Sequence, residues 1–435
     1  MKQLLSLLGF NAEKHSVKTE VLAGITTFLT MSYILAVQPQ ILGETGMDKG
    51  ALFSATAISA AIATLVMAFY AKMPFALAPA MGINAFFAYT LVITMGYTWQ
   101  EALAAVLFEG VVFILLTIFK VREAIVNAIP YNLRCSISVG IGLFIAYIGL
   151  KNGDIIVTSE STLTTLAAWN SASVLAALGV LIGAILMAQS VRGALFYTIL
   201  FVTLIGIPFG VTHLPEDFSI FSMPKSLSPI AFQIDFSRFL ALDFNYYVVV
   251  FALLFMDLLD TLGTLIGAST SAGMADPKTG RIPGVGKALF ADAIGTTFGA
   301  LLGTSTVTTY VESSTGVAEG GRTGLTSLSV AVLFIISLFF APIFLAIPAA
   351  ATTSALVLVG VLMMKTITKI NFNDFTETVP CFILVATMPF TSSISEGIVL
   401  GLISYVAIKV CTFRYKEVSL TMYILAVFFL LKYII

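Results

Sequence analysis

Along the chain, apolar residues gather into long runs separated by short polar stretches, without the strict alternation of strands that face water. Runs at 21–38, 51–73, 103–118, 137–150, 174–187, 194–207 and 246–266 are followed by others at 288–302, 325–344, 354–364, 382–388, 398–410 and 422–434. Many reach or approach the ~20 apolar residues that cross a hydrocarbon layer of ~30 Å. The pattern predicts an all-α polytopic membrane protein. The opening residues are polar and lack the apolar core and cleavage site of a signal peptide.

Two further segments break the pattern in the same way. Residues 75–90 read FALAPAMGINAFFAYT, where Pro79 and Gly82 interrupt the run; residues 304–318 read TSTVTTYVESSTGVA, β-branched at first and then Ser/Gly-rich. Each predicts a short strand followed by a half-helix. Such backbone is tolerated at membrane depth only where protein buries it or it lines a cavity. Interrupted segments at corresponding places in two halves point to the binding site of a transporter. Counted with the continuous runs they give about 14 transmembrane segments, the interruptions being segments 3 and 10. Ile129 and Pro130 before one span echo Ile347 and Pro348 before its counterpart. Seven spans per half is an odd number, so the halves have opposite topology: two inverted repeats, 1–210 and 246–435. An extracellular linker (211–245), polar from Pro208 onward, is expected as an ordered surface loop. The run 422–434 is left over, as the tail of the last span, an extra helix or an interfacial one.

Composition strengthens the membrane reading. Of 435 residues, 58% are apolar and 10% charged, against ~25% charged in a typical soluble domain. Cys135, Cys381 and Cys411 lie in or beside apolar runs without metal-ligand spacing, so neither a metal nor a cofactor is expected. A net charge of −1 gives no indication of nucleic-acid binding. Lysine and arginine set the orientation. With the N-terminus cytoplasmic, sixteen fall in inner loops, including Lys120, Arg122, Arg192, Lys278, Arg281, Lys365 and Lys369, and four in outer loops (Lys49, Lys151, Lys225, Arg238). Both termini are thus expected on the cytoplasmic side of the cell membrane.

Ionisable groups inside spans cost ~2.5–3.5 kcal/mol each on insertion scales and ask for a function or a partner. Asp257 and Asp260 stand three apart, on one helical face. Thr261, Gly263 and Thr264 give Asp260 a small polar face, whereas Asp257 has a pairing with Arg134 or a backbone donor as its alternative. Glu312 sits where the second half-helix should begin. It reads either as a charge stabilised by the helix dipole or as a substrate carboxylate, and the broken segment favours the latter. Asn84, in the other broken segment, either serves the site or caps its half-helix. Glu109 and Asp292 read as structural partners. With no obvious arginine or lysine at the site, a dianion would be repelled, while a planar heterocycle with N–H donors matches a carboxylate. Half-helix N-termini would offer N–H groups to its acceptors, and Phe28, Phe86, Phe87 or Tyr310 would stack on it. A buried carboxylate could also carry a coupling proton.

At these motifs the chain resembles a known family. GITTFLTMSYIL (24–35), PAMGINAFFAYT (79–90), MDLLDTLGTLIG (256–267) and STVTTYVESSTGVAEGGRTGLTSL (305–328) look like the AzgA-like branch of the nucleobase–cation symporter-2 family, permeases for hypoxanthine, adenine and guanine. The resemblance runs from about residue 3 to the C-terminus. It implies a core domain (about 15–120 and 246–345) and a gate domain (about 121–210 and 346–435), with substrate between them. By resemblance the eighth-segment acid falls on Asp260, the tenth-segment carboxylate on Glu312, and the third-segment Gly-x-Asn on Gly82 and Asn84. The Asn-x-Gly usual in the wider family after that glutamate is absent; Ser313, Ser314 and Gly316 stand there. A homodimer through the gate domains is a further implication.

The expectation is a secondary transporter, not an enzyme, that imports purine nucleobases with protons, or with sodium. Substrate binding is expected at Glu312, Asp260, Asn84, Gly82, Thr27, Phe28, Tyr310 and Ser313, and proton coupling at Glu312, Asp260 and Asp257. The rivals are an anion carrier, which needs a basic residue facing the site, and a channel or sensor, against which the inverted repeat counts. An intramembrane enzyme lacks any nucleophile–base constellation.

Overall fold

The computed structural model describes residues 2–119, 130–159, 163–191, 193–214, 218–271, 284–391 and 393–434. Lys120, Arg122, Ile129, Arg192, Lys278 and Arg281 lie outside them. Among the described residues, eight helices are long and apolar enough to cross a membrane, and shorter apolar helices join them.

The first span is split into α1 (Val17–Met31) and α2 (Ile34–Gly43). The break has a local cause. Thr30 Oγ1 donates to the Thr27 carbonyl at 2.8 Å, and Ser32 Oγ to that of Leu29 at 3.2 Å; hydroxyls that compete for helix carbonyls loosen and bend the helix. Helix α3 (Lys49–Val66) starts at Asp48, whose carboxylate accepts from the Ala51 amide at 2.7 Å. Strand β1 (Leu77–Pro79) then leads into α4 (Met81–Ala85), prolonged by π-helical turns over Phe86–Thr94. Helix α5 (Trp99–Ile118) opens with a reciprocal Thr98–Glu101 capping box. Helices α6 (Tyr131–Asn152), α7 (Ser171–Ala188) and α8 (Ala194–Gly206) complete the first half. Between α6 and α7, β2 (Ile156–Ser159) and β3 (Leu163–Leu166) form a hairpin that the hydrophobic pattern did not announce.

The second half repeats this order: α9 (Phe244–Ser271), α10 (Val285–Leu302), β4 (Val307–Thr309) with the half-helix α11 (Ser313–Ala318), and α12 (Gly324–Ser337). Helices α13 (Ala349–Met364), α14 (Phe375–Phe390) and α15 (Ile394–Cys411) follow. Pro130 and Pro348 occupy equivalent places, immediately before α6 and α13. The leftover run is a separate helix, α16 (Leu420–Ile434), packed on α15 and α9.

Both interrupted segments are a strand followed by a half-helix, as expected. The strands meet antiparallel, Leu77 opposite Thr309, Ala78 opposite Thr308 and Pro79 opposite Val307. Hydrogen bonds from Ala80 N to Thr306 O and from Tyr310 N to Ala76 O, both 3.0 Å, extend the ladder. Thr64 Oγ1 accepts from the Leu77 amide at 3.0 Å, and Thr296 Oγ1 donates to the Val307 carbonyl at 3.0 Å. Two-stranded sheets have only edges, and in a membrane those edges need such partners.

Packing separates the helices into two groups. Helices α1, α3, α5, α10 and α12 pack on one another, with α3, α10 and α9 against the paired strands, while α6, α7, α8, α13, α14 and α15 pack together as a second group. Within the second group α6 and α13 cross at glycines: a Cβ added to Gly142 would lie 2.6 Å from the Gly360 carbonyl oxygen. The linker is ordered where described, and docks on the first group. Phe232 N donates to Leu301 O at 2.8 Å, Ser54 Oγ to Lys225 O at 2.8 Å, and Arg238 pairs with Glu101 at 3.0 Å.

Candidate functional site

A cavity of about 830 Å³ lies between the two helix groups, against the strand crossing. Its inner wall is built by Gly82 and Met81 from the start of α4, Thr308 and Tyr310 from β4 and the turn after it, Glu312, and Asp260 with Thr264 from α9. Because Asp260 and Thr264 are one helical turn apart, α9 presents them together. Glu312 immediately precedes α11, but its side chain makes no capping hydrogen bond. It accepts instead from Tyr33 Oη at 2.7 Å. Tyr33 reaches it because α1 ends just before it; the hydroxyls that break the first span also aim this phenol. Tyr310 Oη donates to the Pro79 carbonyl, tying the turn after β4 to β1. The two carboxylates and two phenols are within electrostatic reach of one another.

Of the expected substrate-side residues, Glu312, Asp260, Gly82 and Tyr310 line this cavity. Thr27, Phe28, Asn84 and Ser313 do not; the structure places them behind its wall. Position along α1 decides this: Thr27 and Thr30 share a face one turn apart, and only Thr30 and then Tyr33 reach the cavity. Thr27 lies buried against Gly316 of α11, and the Phe28 ring packs edge-on against Phe334 at 5.2 Å. Asn84 is no cap: its carbonyl oxygen accepts from Ser305 Oγ, and Gln38 donates to Thr304 at 2.8 Å and Ser305 at 3.2 Å. This polar chain clamps the third segment to the tenth. Ser313 Oγ accepts from the Ala76 amide at 3.0 Å. Phe86 and Phe87 are fully buried and also stand away from the cavity.

The remaining carboxylates form a layer behind the strands. Thr309 N donates to Asp292 at 3.0 Å and Thr306 Oγ1 to Glu109 at 2.7 Å, so both acids anchor the segment that carries Glu312. The Thr261 hydroxyl lies 3.1 Å from Asp257 Oδ1 and 2.9 Å from Asp292 Oδ2. The pairing of Asp257 with Arg134 does not form. Thr264, read in the sequence as part of the polar face beside Asp260, lines the cavity, as do Thr30, Tyr33 and Thr308, which no spacing in the sequence singles out.

One expectation is corrected outright. The sequence supplied no obvious basic residue for the site, yet Arg134, Lys365 and Lys369 line the opposite wall of the same cavity. Arg134 is more than a hundred residues from either carboxylate in sequence, and only the packing of α6 and the turn after α13 brings it there.

A multi-pass membrane protein with a central cavity, walled by paired half-helices and buried carboxylates, has the make-up of a solute transporter. The model of the Permease family (Xan_ur_permease) matches residues 18–400, and the chain belongs to that family. It is 42% identical over 421 residues to the adenine permease AdeQ of Escherichia coli, covering 97% of this chain and 94% of the relative. To the guanine/hypoxanthine permease PbuO of Bacillus subtilis it is 41% identical over 426 residues, covering 97% and 98%. The transmembrane domain of the cyanobacterial bicarbonate transporter BicA superposes with a TM-score of 0.67 at 16% identity, covering 88% of this chain and 97% of that one. At that identity the likeness is one of fold. These relatives are permeases, so the chain is a transporter rather than an enzyme.

Proposed function

We propose that this permease imports purine nucleobases across the cell membrane together with protons. The observation that carries the reading is the Glu312 carboxylate, held by Tyr33 at the wall of a cavity that Asp260 shares. A carboxylate so placed matches the N–H edge of a purine, and the purine permeases among the relatives supply the substrate class. Thr264, Thr308 and the two phenols add neutral hydrogen-bonding groups. Asn84, Thr27 and Ser313 act from behind, fixing the half-helices rather than touching substrate.

For coupling, the Asp257–Thr261–Asp292 contact is informative. A hydroxyl has one hydrogen, yet Thr261 stands within hydrogen-bonding distance of both carboxylates. Both contacts are satisfied when one of the two carboxyls is protonated and donates to the Thr261 oxygen. That arrangement supports a proton held behind Asp260, one turn along the same helix. The packing groups support a core of about 15–120 and 246–345 that moves against a gate of about 121–210 and 346–435. The cavity borders exposed Tyr131, Ser190, Lys365 and Lys369, on the side that the lysine and arginine bias assigns to the cytoplasm.

Uptake of labelled adenine, guanine and hypoxanthine into cells lacking their own purine carriers tests the reading. Saturable uptake of at least one base, abolished by a protonophore and lost in Glu312→Gln, is the expected result. Uptake that survives the protonophore but needs sodium would replace the ion. Full uptake with unchanged pH dependence in Glu312→Gln would remove Glu312 from its role.

A further inference from the structure

The cavity is larger than a base requires, and its two walls differ in charge. At about 830 Å³ it falls within the ~300–1,000 Å³ of pockets that enclose whole drug-sized ligands, so a two-ring heterocycle against Glu312 and Asp260 leaves much of it unfilled. The facing wall carries Arg134 near the start of α6, with Lys365 and Lys369 in the turn after α13. Arg134 Nε is buried and has no hydrogen-bond partner among the described residues, and its guanidinium stands 5.7 Å from the Tyr131 ring centre. None of the three cations has an ion-pair partner among the described residues. A buried guanidinium N–H without an acceptor is uncommon, because its desolvation goes uncompensated. A guanidinium fork and two ammonium groups lining one cavity are donors that phosphate takes.

The geometry points to a second ligand for this cavity: a purine nucleotide entering from the cytoplasmic side, its base at Glu312 and Asp260 and its phosphate at Arg134, Lys365 and Lys369. The inference rests on the purine reading of the inner wall. A nucleotide is the base joined to a sugar phosphate, so its phosphate lies beyond the sugar, away from the base. Held at both walls, it links the two helix groups across the cavity and fixes the inward-open arrangement. Import then slows as the cytoplasmic nucleotide pool made from the imported base rises.

The test is displacement of labelled adenine or guanine from the purified full-length protein in nanodiscs of neutral lipid. The competitors are the corresponding nucleoside monophosphate, the nucleoside and inorganic phosphate. The monophosphate should displace the base at about tenfold lower concentration than the nucleoside, the scale of one hydrogen bond to a charged group. Arg134→Gln, and separately Lys365→Gln with Lys369→Gln, should erase that advantage, measured as the ratio of nucleotide to base affinity in each variant. Equal potency of nucleotide and nucleoside in the native protein overturns the proposal, as does an advantage that survives both sets of substitutions. If discs of anionic lipid abolish the advantage, the basic wall is a headgroup site and the nucleotide assignment falls. Failure of any base to bind is a different result, and counts against the purine reading itself.

Discussion

Tyr33 shows how much one hydroxyl can decide. Its phenol donates to a carboxylate that burial would otherwise leave poorly solvated, and it fixes the direction in which Glu312 meets the cavity. A hydrogen bond to a charged group contributes ~1.5–3 kcal/mol, so Tyr33→Phe should weaken base binding by roughly tenfold or more. Direct binding to the detergent-purified protein measures it; unchanged affinity would make the bond incidental. Glu312 and Asp260 were legible in the sequence because a charge in an apolar run is anomalous. Tyr33 was not, because aromatic residues are abundant here and nothing in the spacing marks this one. Thr27 and Phe28 stand off the cavity for a related reason: the motif in α1 is readable, but which turn reaches the cavity depends on where the helix breaks.

Among the elements, the two strand–half-helix units are the decisive feature, and their neighbours fit them closely. Gly82 begins the first half-helix against α6, and a Cβ there would lie 2.6 Å from Ile141 Cγ2. Gly82→Ala should therefore push the two helix groups apart and cut uptake at least several-fold, although alanine is itself the better helix former. Ile141→Ala in the same chain removes the colliding methyl and should restore part of the activity. If the double variant is no better than the single one, the close approach is not the reason for glycine. Both strands and both half-helices could be anticipated from Pro79, Gly82 and the β-branched run before Glu312. Their antiparallel pairing could not, since more than two hundred residues separate them. The β2–β3 hairpin was also overlooked, as its short polar strands lie outside the long apolar runs.

For the whole molecule, the two helix groups meet at a cavity that reaches exposed residues on the side the charge bias calls cytoplasmic. Cys135 lies in its wall, while Cys381 is buried away from it and Cys411 is exposed elsewhere. With Cys411 replaced by serine, a charged, membrane-impermeant thiol reagent should modify Cys135 in inside-out vesicles and not in right-side-out ones, and a bound base should slow the reaction. Equal labelling in both vesicle orientations would contradict the assigned orientation. The same geometry explains why the anion-carrier reading looked weaker in the sequence than it does in the fold: the cations are present, but on the wall opposite the carboxylates.

What the sequence by itself determined was where the spans lie and where segments 3 and 10 are interrupted. Apolar runs specify spans because each backbone polar group in lipid must be satisfied within its own segment, and proline, glycine and β-branched residues mark where a span stops being helical. Isolated carboxylates declared themselves by their cost. Tertiary structure alone decided which hydroxyls and cations face those carboxylates, which turn of α1 reaches the cavity and which residues serve as clamps. Those choices depend on contacts between segments hundreds of residues apart, which a one-dimensional pattern does not encode. The acidic wall was legible in the chain; the basic wall facing it exists only in the fold.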